Sequence, residues 1–269
     1  MRWTETLIPT LREEPKDAEA VSHKLMLRAG YIRKLSSGVY SYLPLGTRVL
    51  GKIAAIIEEE MFRQGADILL LPALHPAELW KKTGRYDSLG QDKIAFKNRT
   101  DQEFVLGPTH EEVITELVGA YVRSYKDLPK ILFQIQTKFR DELRPRFGVV
   151  RTKEFIMKDA YSFDRDEQGL DESYRKMHEA YQRIFTRSGL EFSVVTADPG
   201  MMGGKMSQEF MVKSDFGEDM IIQCPKCQNT ASRDIAARGR QEGPGPLGNG
   251  VMEAFDTPDL RTIEEIAHR

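Results

Sequence analysis

From Lys130 to Glu142 apolar and polar side chains alternate, and Gln134, Gln136, Lys138, Arg140 and Glu142 would stand in one row along an extended strand. That row is too rich in long polar groups for an ordinary packing face, so solvent or a ligand is expected to meet it. The other row, Ile131, Phe133, Ile135, Thr137 and Phe139, can enter a core. After a loop containing Pro145 and Gly148, residues Glu154–Phe163 repeat the period and can pair antiparallel with the first strand. Arg144, Arg146, Arg151 and Lys153 make the connecting hairpin loop locally basic. Thr109 precedes a helical stretch with Glu112 three residues on, the spacing of a capping box. Cys224-Pro225-Lys226-Cys227 has the spacing of half a structural zinc site, but the chain has no second cysteine pair and only His268 follows, so no metal site is expected.

The elements around these residues read as helices near 17–29, with Asp17 at the start and Gly30 at the end, and over Thr47–Gln64, where Val49, Leu50, Ile53, Ile56, Ile57 and Met61 recur at helical intervals before Gly65. Ala66–Pro72 is a short apolar run of strand length. Helices are expected at about Pro76–Lys82, His110–Tyr125 and Asp171–Ser188, and strands at Glu103–Leu106, Glu191–Ala197, Gln208–Lys213 and Asp219–Cys224. Strands cluster around a few helices instead of alternating with them, which predicts an α+β fold on an antiparallel sheet. Arg238–Gly250, rich in glycine and proline, reads as a linker, and Thr262–His268 as a short helical tail.

With 40% hydrophobic and 30% charged residues, the 269-residue chain falls among globular proteins and away from disordered or membrane chains. Two cysteines exclude a disulfide scaffold, and the N-terminus lacks the apolar stretch of a signal peptide, so a cytoplasmic protein is expected. The net charge of −2 means that any nucleic-acid contact must come from local basic clusters.

Three signatures occur in order. Gln64-Gly65-Ala66-Asp67-Ile68-Leu69-Leu70-Leu71-Pro72 resembles motif 1 of class II aminoacyl-tRNA synthetases. Phe139-Arg140-Asp141-Glu142, followed by Arg151-Thr152-Lys153-Glu154-Phe155, resembles their motif 2. Gly107-Pro108-Thr109-His110-Glu111-Glu112 is similar to the amino-acid-recognition loop of the bacterial-type prolyl-tRNA synthetases. Leu43-Pro44-Leu45-Gly46, Pro76-Ala77-Glu78-Leu79-Trp80 and Met157-Lys158-Asp159-Ala160-Tyr161-Ser162-Phe163 look like the same family. The ordered set covers nearly the whole chain, and its order carries more than any one motif.

The resemblance implies a class II synthetase-like antiparallel sheet flanked by helices, a homodimer through motif 1, and ATP with Mg2+ as the energy source. It implies that Arg140 lies between the substrate carboxylate and the α-phosphate of ATP, two anions that repel and that a guanidinium fork can bridge. Arg140, Glu142, Arg151 and Phe155 would bind ATP, with Glu142 accepting from the adenine amino group, Phe155 stacking on the ring and Arg151 reaching the outer phosphates. Thr109 and Glu111 would take the secondary amine of proline, with Arg140, Met157 and Phe210 completing its pocket. Arg144, Arg146 and Lys153 would meet the acceptor end of tRNA(Pro), a solvated loop competing on equal terms for each cation.

The family's third motif is not found, nor its anticodon-binding domain, and the editing insertion only begins near Thr257-Pro258. Residues 1–223 are therefore expected to form a catalytic core incomplete on its C-terminal side, and 224–269 the Cys-x-x-Cys segment, the linker and the start of that insertion. The expected function is ATP-dependent activation of proline and transfer to tRNA(Pro), by an N-terminal part inactive alone. The alternatives are a synthetase-like binding or regulatory module without catalysis, and a trans-acting editing hydrolase.

Overall fold

The computed structural model describes residues 2–236 apart from 201–203, 205, 228 and 234. The expected linker, the Thr257-Pro258 step and the tail helix lie outside the described residues. Two compact units are present: the described residues up to Ser193 together with Phe210–Glu218, and the rest of those from Val194 onward.

In the first unit α1 (Val21–Arg28) leads into a hairpin of β1 (Ile32–Ser36) and β2 (Val39–Tyr42), followed by the long α2 (Pro44–Arg63). The helix expected near 17–29 thus begins at Val21. Asp17 does not cap it, because its carboxylate is held by Lys34 at 2.9 Å. Helix α2 opens with Pro44 in its first turn, where a missing N–H costs nothing, and ends before Gly65, whose φ of +77° suits glycine.

The expected motif 1 strand is short: β3 is only Asp67–Ile68, because beyond Leu69 the backbone leaves the ladder for side-chain partners. Next come β4 (Leu74–Pro76), α3 (Ala77–Lys82), α4 (Arg85–Ser88), β5 (Ile94–Lys97), β6 (Glu103–Leu106) and α5 (Glu111–Tyr121). Strands β4, β6 and β5 form a three-stranded antiparallel sheet in that order.

The central hairpin is β7 (Lys130–Phe139) and β8 (Glu154–Phe163), antiparallel in register from Lys130↔Phe163 to Phe139↔Glu154, with β3 added in parallel on the free edge of β7. One face of the hairpin packs on α2 and on α6 (Glu167–Arg187): Ile131 and Phe133 meet Met61, Ala66 and Ala180 in a buried cluster. The N-terminus of α6 is capped by Asp166, whose carboxylate accepts from the Gly169 N–H at 2.8 Å. Between the helices Glu60 is fully buried, with Arg63, Arg183 and Arg187 around it. Burial alone would raise its pKa, but the Arg183 and Arg187 hydrogen bonds outweigh that and hold the carboxyl below its ordinary value.

Strands β9 (Ser193–Ala197), β10 (Ser207–Met211), β11 (Ile221–Gln223) and β12 (Thr230–Ser232), most of whose residues belong to the second unit, make a sheet in the order β10-β9-β12-β11. The fold is therefore α+β with mainly antiparallel sheets, as expected; β3–β7 and β12–β9 are parallel pairs. No helix among the described residues is long and apolar enough to cross a membrane.

The second face of the hairpin corrects an expectation. Gln134 and Lys138 are not open to solvent or ligand but fully buried. Each finds a partner that local sequence does not reveal: the Gln134 side chain accepts from the Leu71 N–H and donates to Asp159, and Lys138 pairs with Asp159 at 2.7 Å. Gln136 donates to the Leu71 carbonyl. The row is a polar core seam, satisfied by protein.

Candidate functional site

The seam supports a loop. Asp159 on β8 accepts from Lys138 on one oxygen and from Gln134 (2.9 Å) and the Tyr161 hydroxyl (2.6 Å) on the other. The Tyr161 oxygen in turn accepts from the backbone N–H of His110 at 3.1 Å. Burial pushes the Lys138 pKa down, only partly offset by Asp159, and pushes Tyr161 up, an effect that Asp159 reinforces. A buried cation–carboxylate pair with a phenol therefore holds the turn between Thr109 and Glu111.

A second buried group lies beside it. The His75 and His110 rings meet edge to face, and the Nε2 atoms of both lie within 3.0 Å of the Pro72 carbonyl, to which each donates. Trp80 Nε1 donates to His75 Nδ1 at 3.3 Å, which requires the Nε2–H tautomer there. Burial lowers both imidazoles to about 4, so both are neutral near pH 7. Gly107 passes so close that a Cβ would lie 2.6 Å from His75 Cε1; no larger residue fits. Its carbonyl accepts from the Phe139 N–H, tying the loop to the end of β7.

Within this frame the Thr109 hydroxyl donates to Glu111 Oε1 at 2.7 Å. The capping box is not formed. The residue before α5 is His110, and the buried Glu112 carboxylate instead accepts from Thr83 and Arg85. Both contacts fall on Oε1, and the buried Oε2 has no hydrogen-bond partner among the described residues. Arg85 Nη1 also reaches Glu111 Oε2 at 3.2 Å.

At the other end of the seam Arg140 is exposed, with its guanidinium 5.3 Å from the Phe155 ring centre and 3.4 Å from the Pro108 carbonyl. Phe155 pairs with Lys138 in register and Met157 with Gln136, so both share the face of the seam and are half-buried. Thr109, Glu111, Arg140, Phe155 and Met157 thus gather around one hairpin face and the loop tied to it. Phe210 stands elsewhere: its ring lies among His178, Tyr181, Phe185 and Phe192, against α6, which covers the opposite face of the hairpin.

The hairpin loop is held differently. Glu142 accepts from Arg151 Nε at 2.7 Å and from the Arg144 N–H, and these contacts, Arg151 first, keep its carboxyl below the ordinary range. Arg151 and Arg146 both pair with Glu218, at 2.6 and 2.9 Å, while Lys153 pairs with Asp141 at 2.6 Å. Arg144 is exposed. Two cations of the basic cluster therefore already rest on one carboxylate.

Sequence reasoning missed Lys138, Asp159, Tyr161, His75, His110, Arg85 and Glu218. The excess of polar residues on strands of core length was the available signal for the seam; nothing local marked Arg85 or Glu218. Among the described residues no three side chains of metal-binding type converge.

A model of the tRNA synthetase class II core domain (G, H, P, S and T) matches residues 94–242. The proline–tRNA ligase of Nitratidesulfovibrio vulgaris (Hildenborough) is 54% identical over 99% of this chain, which spans 46% of that protein. That of Citrifermentans bemidjiense is also 54% identical, with 47% of its length covered. The chain thus spans about half the length of the curated relatives it matches. Of solved structures, Giardia lamblia prolyl-tRNA synthetase in complex with prolyl-adenylate superposes with a TM-score of 0.58 and 21% identity, over 62% of this chain and 35% of that one. The Cryptosporidium parvum enzyme, complexed with L-proline and AMP, gives 0.61 and 15%, over 69% and 38%. These likenesses establish the shared fold.

Proposed function

The chain belongs to the class II tRNA synthetase core family, and we propose that it forms the amino-acid-activating part of a proline–tRNA ligase. In the reaction a proline carboxylate oxygen attacks the α-phosphorus of ATP and pyrophosphate leaves. A terminal ribose hydroxyl of tRNA(Pro) then attacks the prolyl carbonyl and AMP leaves. The observation that carries this reading is that the Thr109–Glu111 loop and the strand leading to Arg140 hang on one buried seam, Lys138–Asp159–Tyr161. Such a seam holds an ammonium acceptor and a carboxylate-phosphate bridge at a set separation, which is the positioning that activation requires.

Phe155 offers its half-buried face to adenine, and Glu142 an acceptor for the adenine amino group once Arg151 turns to the outer phosphates. Mg2+ is assigned to the triphosphate as part of the substrate. Met157 lines the proline ring from β8, and Phe210 joins it only if β10 moves toward that face. Arg144, Arg146 and Lys153 are assigned to the acceptor end of tRNA(Pro). Residues 1–223 are read as catalytic core and 224–269 as the Cys-x-x-Cys segment, the linker and the start of the editing insertion. The protein is read as cytoplasmic.

A homodimer is assigned to motif 1, supported by Val49, Ile53, Phe62, Ile68 and Leu70, which leave α2, β3 and the segment just after β3 with exposed apolar surface. A clean monomer by light scattering at high micromolar concentration would remove that assignment.

The test of function is proline-dependent exchange of labelled pyrophosphate into ATP by the full product of the gene. Glu111→Gln should raise KM for proline ~10- to 150-fold, the value of one charge-assisted hydrogen bond, and change KM for ATP little. Exchange with no dependence on proline would instead favour a binding module that keeps the fold without the chemistry.

A further inference from the structure

Arg85 enters at the start of α4, outside every motif of the chain, and its guanidinium joins two adjacent carboxylates. Its Nη1 lies 2.9 Å from Glu112 Oε1 and 3.2 Å from Glu111 Oε2, and its plane sits 5.4 Å from the Trp80 ring centre. The two acids differ. The Glu112 side chain is only 2% exposed and also accepts from Thr83, whereas Glu111 is 29% exposed and meets the open side of the loop. Arg85 is therefore anchored by a buried carboxylate and presented to an accessible one.

Glu111 is oriented on both oxygens, by Thr109 on Oε1 and by Arg85 on Oε2. A carboxylate has about four lone-pair positions, so these two contacts fix the group and leave acceptor positions for an incoming cation. Without Arg85, Glu111 and Glu112 would be neighbouring like charges, and repulsion would turn the accessible one away. A 320 Å3 cavity lined by Leu79, Lys82 and Thr115 adjoins the pair and gives the freed carboxylate room to swing.

We infer that Arg85 is a positioning residue for substrate selection: it holds Glu111 in the orientation that accepts the charged secondary amine. This rests on the reading of Glu111 as that acceptor. Arg85 touches no reacting atom, so its loss should appear in binding of the amine and hardly in the rate at saturation.

The experiment is pyrophosphate exchange by the full gene product and its Arg85→Met, Arg85→Lys and Glu111→Gln variants, each assayed against proline, ATP and the inhibitor cyclopentanecarboxylate, which matches the ring but carries no amine. Arg85→Met should raise KM for proline about tenfold while KM for ATP, kcat and the inhibition constant of the carboxylate stay within twofold. Arg85→Lys, whose ammonium carries three N–H donors on one nitrogen and can serve both acids as Nη1 does here, should recover most of the loss. Equal losses for proline, ATP and the inhibitor would overturn the inference in favour of a structural role, as would an unchanged KM for proline in Arg85→Met beside a raised one in Glu111→Gln. An unchanged KM in Glu111→Gln would instead overturn the reading of the site on which the inference rests.

Discussion

The recognition loop is acidic, the motif 2 loop is basic, and the two are held in opposite ways. Under the recognition loop the Lys138–Asp159 pair is buried, with Tyr161 and Gln134 on the same carboxylate and two neutral imidazoles alongside. In the motif 2 loop Arg151, Arg146 and Lys153 pair with Glu142, Glu218 and Asp141 at the surface. Buried charges stay together because separating them leaves one desolvated and alone, whereas surface pairs trade one anion for another at little cost. Under the proposed function, selection of a small amino acid would use the first arrangement and reception of phosphates the second.

The largest expected effect lies in the seam. Lys138→Met leaves the Asp159 charge without its cation and should lower unfolding free energy by about 3–5 kcal/mol in denaturant titrations. Changing both partners, Lys138→Met with Asp159→Leu, should cost less than the two single changes summed. A single-site loss under about 1 kcal/mol would mean that water reaches the pair, and the contrast with the motif 2 loop would collapse.

Acid should come next. His75 and His110 titrate near 6.5 when unfolded and at about 4 when folded, so in that interval the unfolded chain holds more protons. Their stabilisation is complete above pH 6.5 and is lost as pH falls toward 4, at up to about 1.4 kcal/mol per pH unit for each ring. His23, also lowered by burial, adds in the same direction. Unfolding free energies from pH 7 to 5 should show this slope, and His110→Gln should reduce it; a flat profile would place the rings in contact with solvent.

The smallest effect should come from the motif 2 loop. Glu218→Gln removes an anion shared by Arg146 and Arg151 and should change stability by less than about 1 kcal/mol. It should tighten ATP binding a few-fold at low salt and not at high salt, because the released cations are screened there. A large stability loss would show that this loop is as firmly built as the other.

The hairpin β7–β8 was legible because alternation marks Ile135–Phe139 on the first strand and the loop with Pro145 and Gly148 sets off a second run of strand length; β8 was bounded correctly at both ends. The N-terminal hairpin was not, since four of the five residues of β1 are exposed and no alternation marks them. Strand β4 is three residues long and contains Pro76, which conceals it equally well. Thr109, Glu111, Arg140 and Phe155 were singled out through motifs and lie together around one hairpin face, while their supports were misread. A long polar side chain on a strand looks solvent-bound until its partner, here 21 to 63 residues away, is known. Arg85 and Glu218 enter through tertiary contact alone.

The motif 2 loop also leans on residues made long before it. Gly148, at φ +66°, sits where a Cβ would come within 2.8 Å of the His23 ring, Pro145 crowds Gly38, and the Lys153 N–H donates to the Gly38 carbonyl. At about 5–20 residues per second, a ribosome needs roughly 5–25 s to travel from one partner to the other. Helix α1 and the β1–β2 hairpin are thus synthesised well before the loop that rests on them, and the loop takes its shape against residues made earlier.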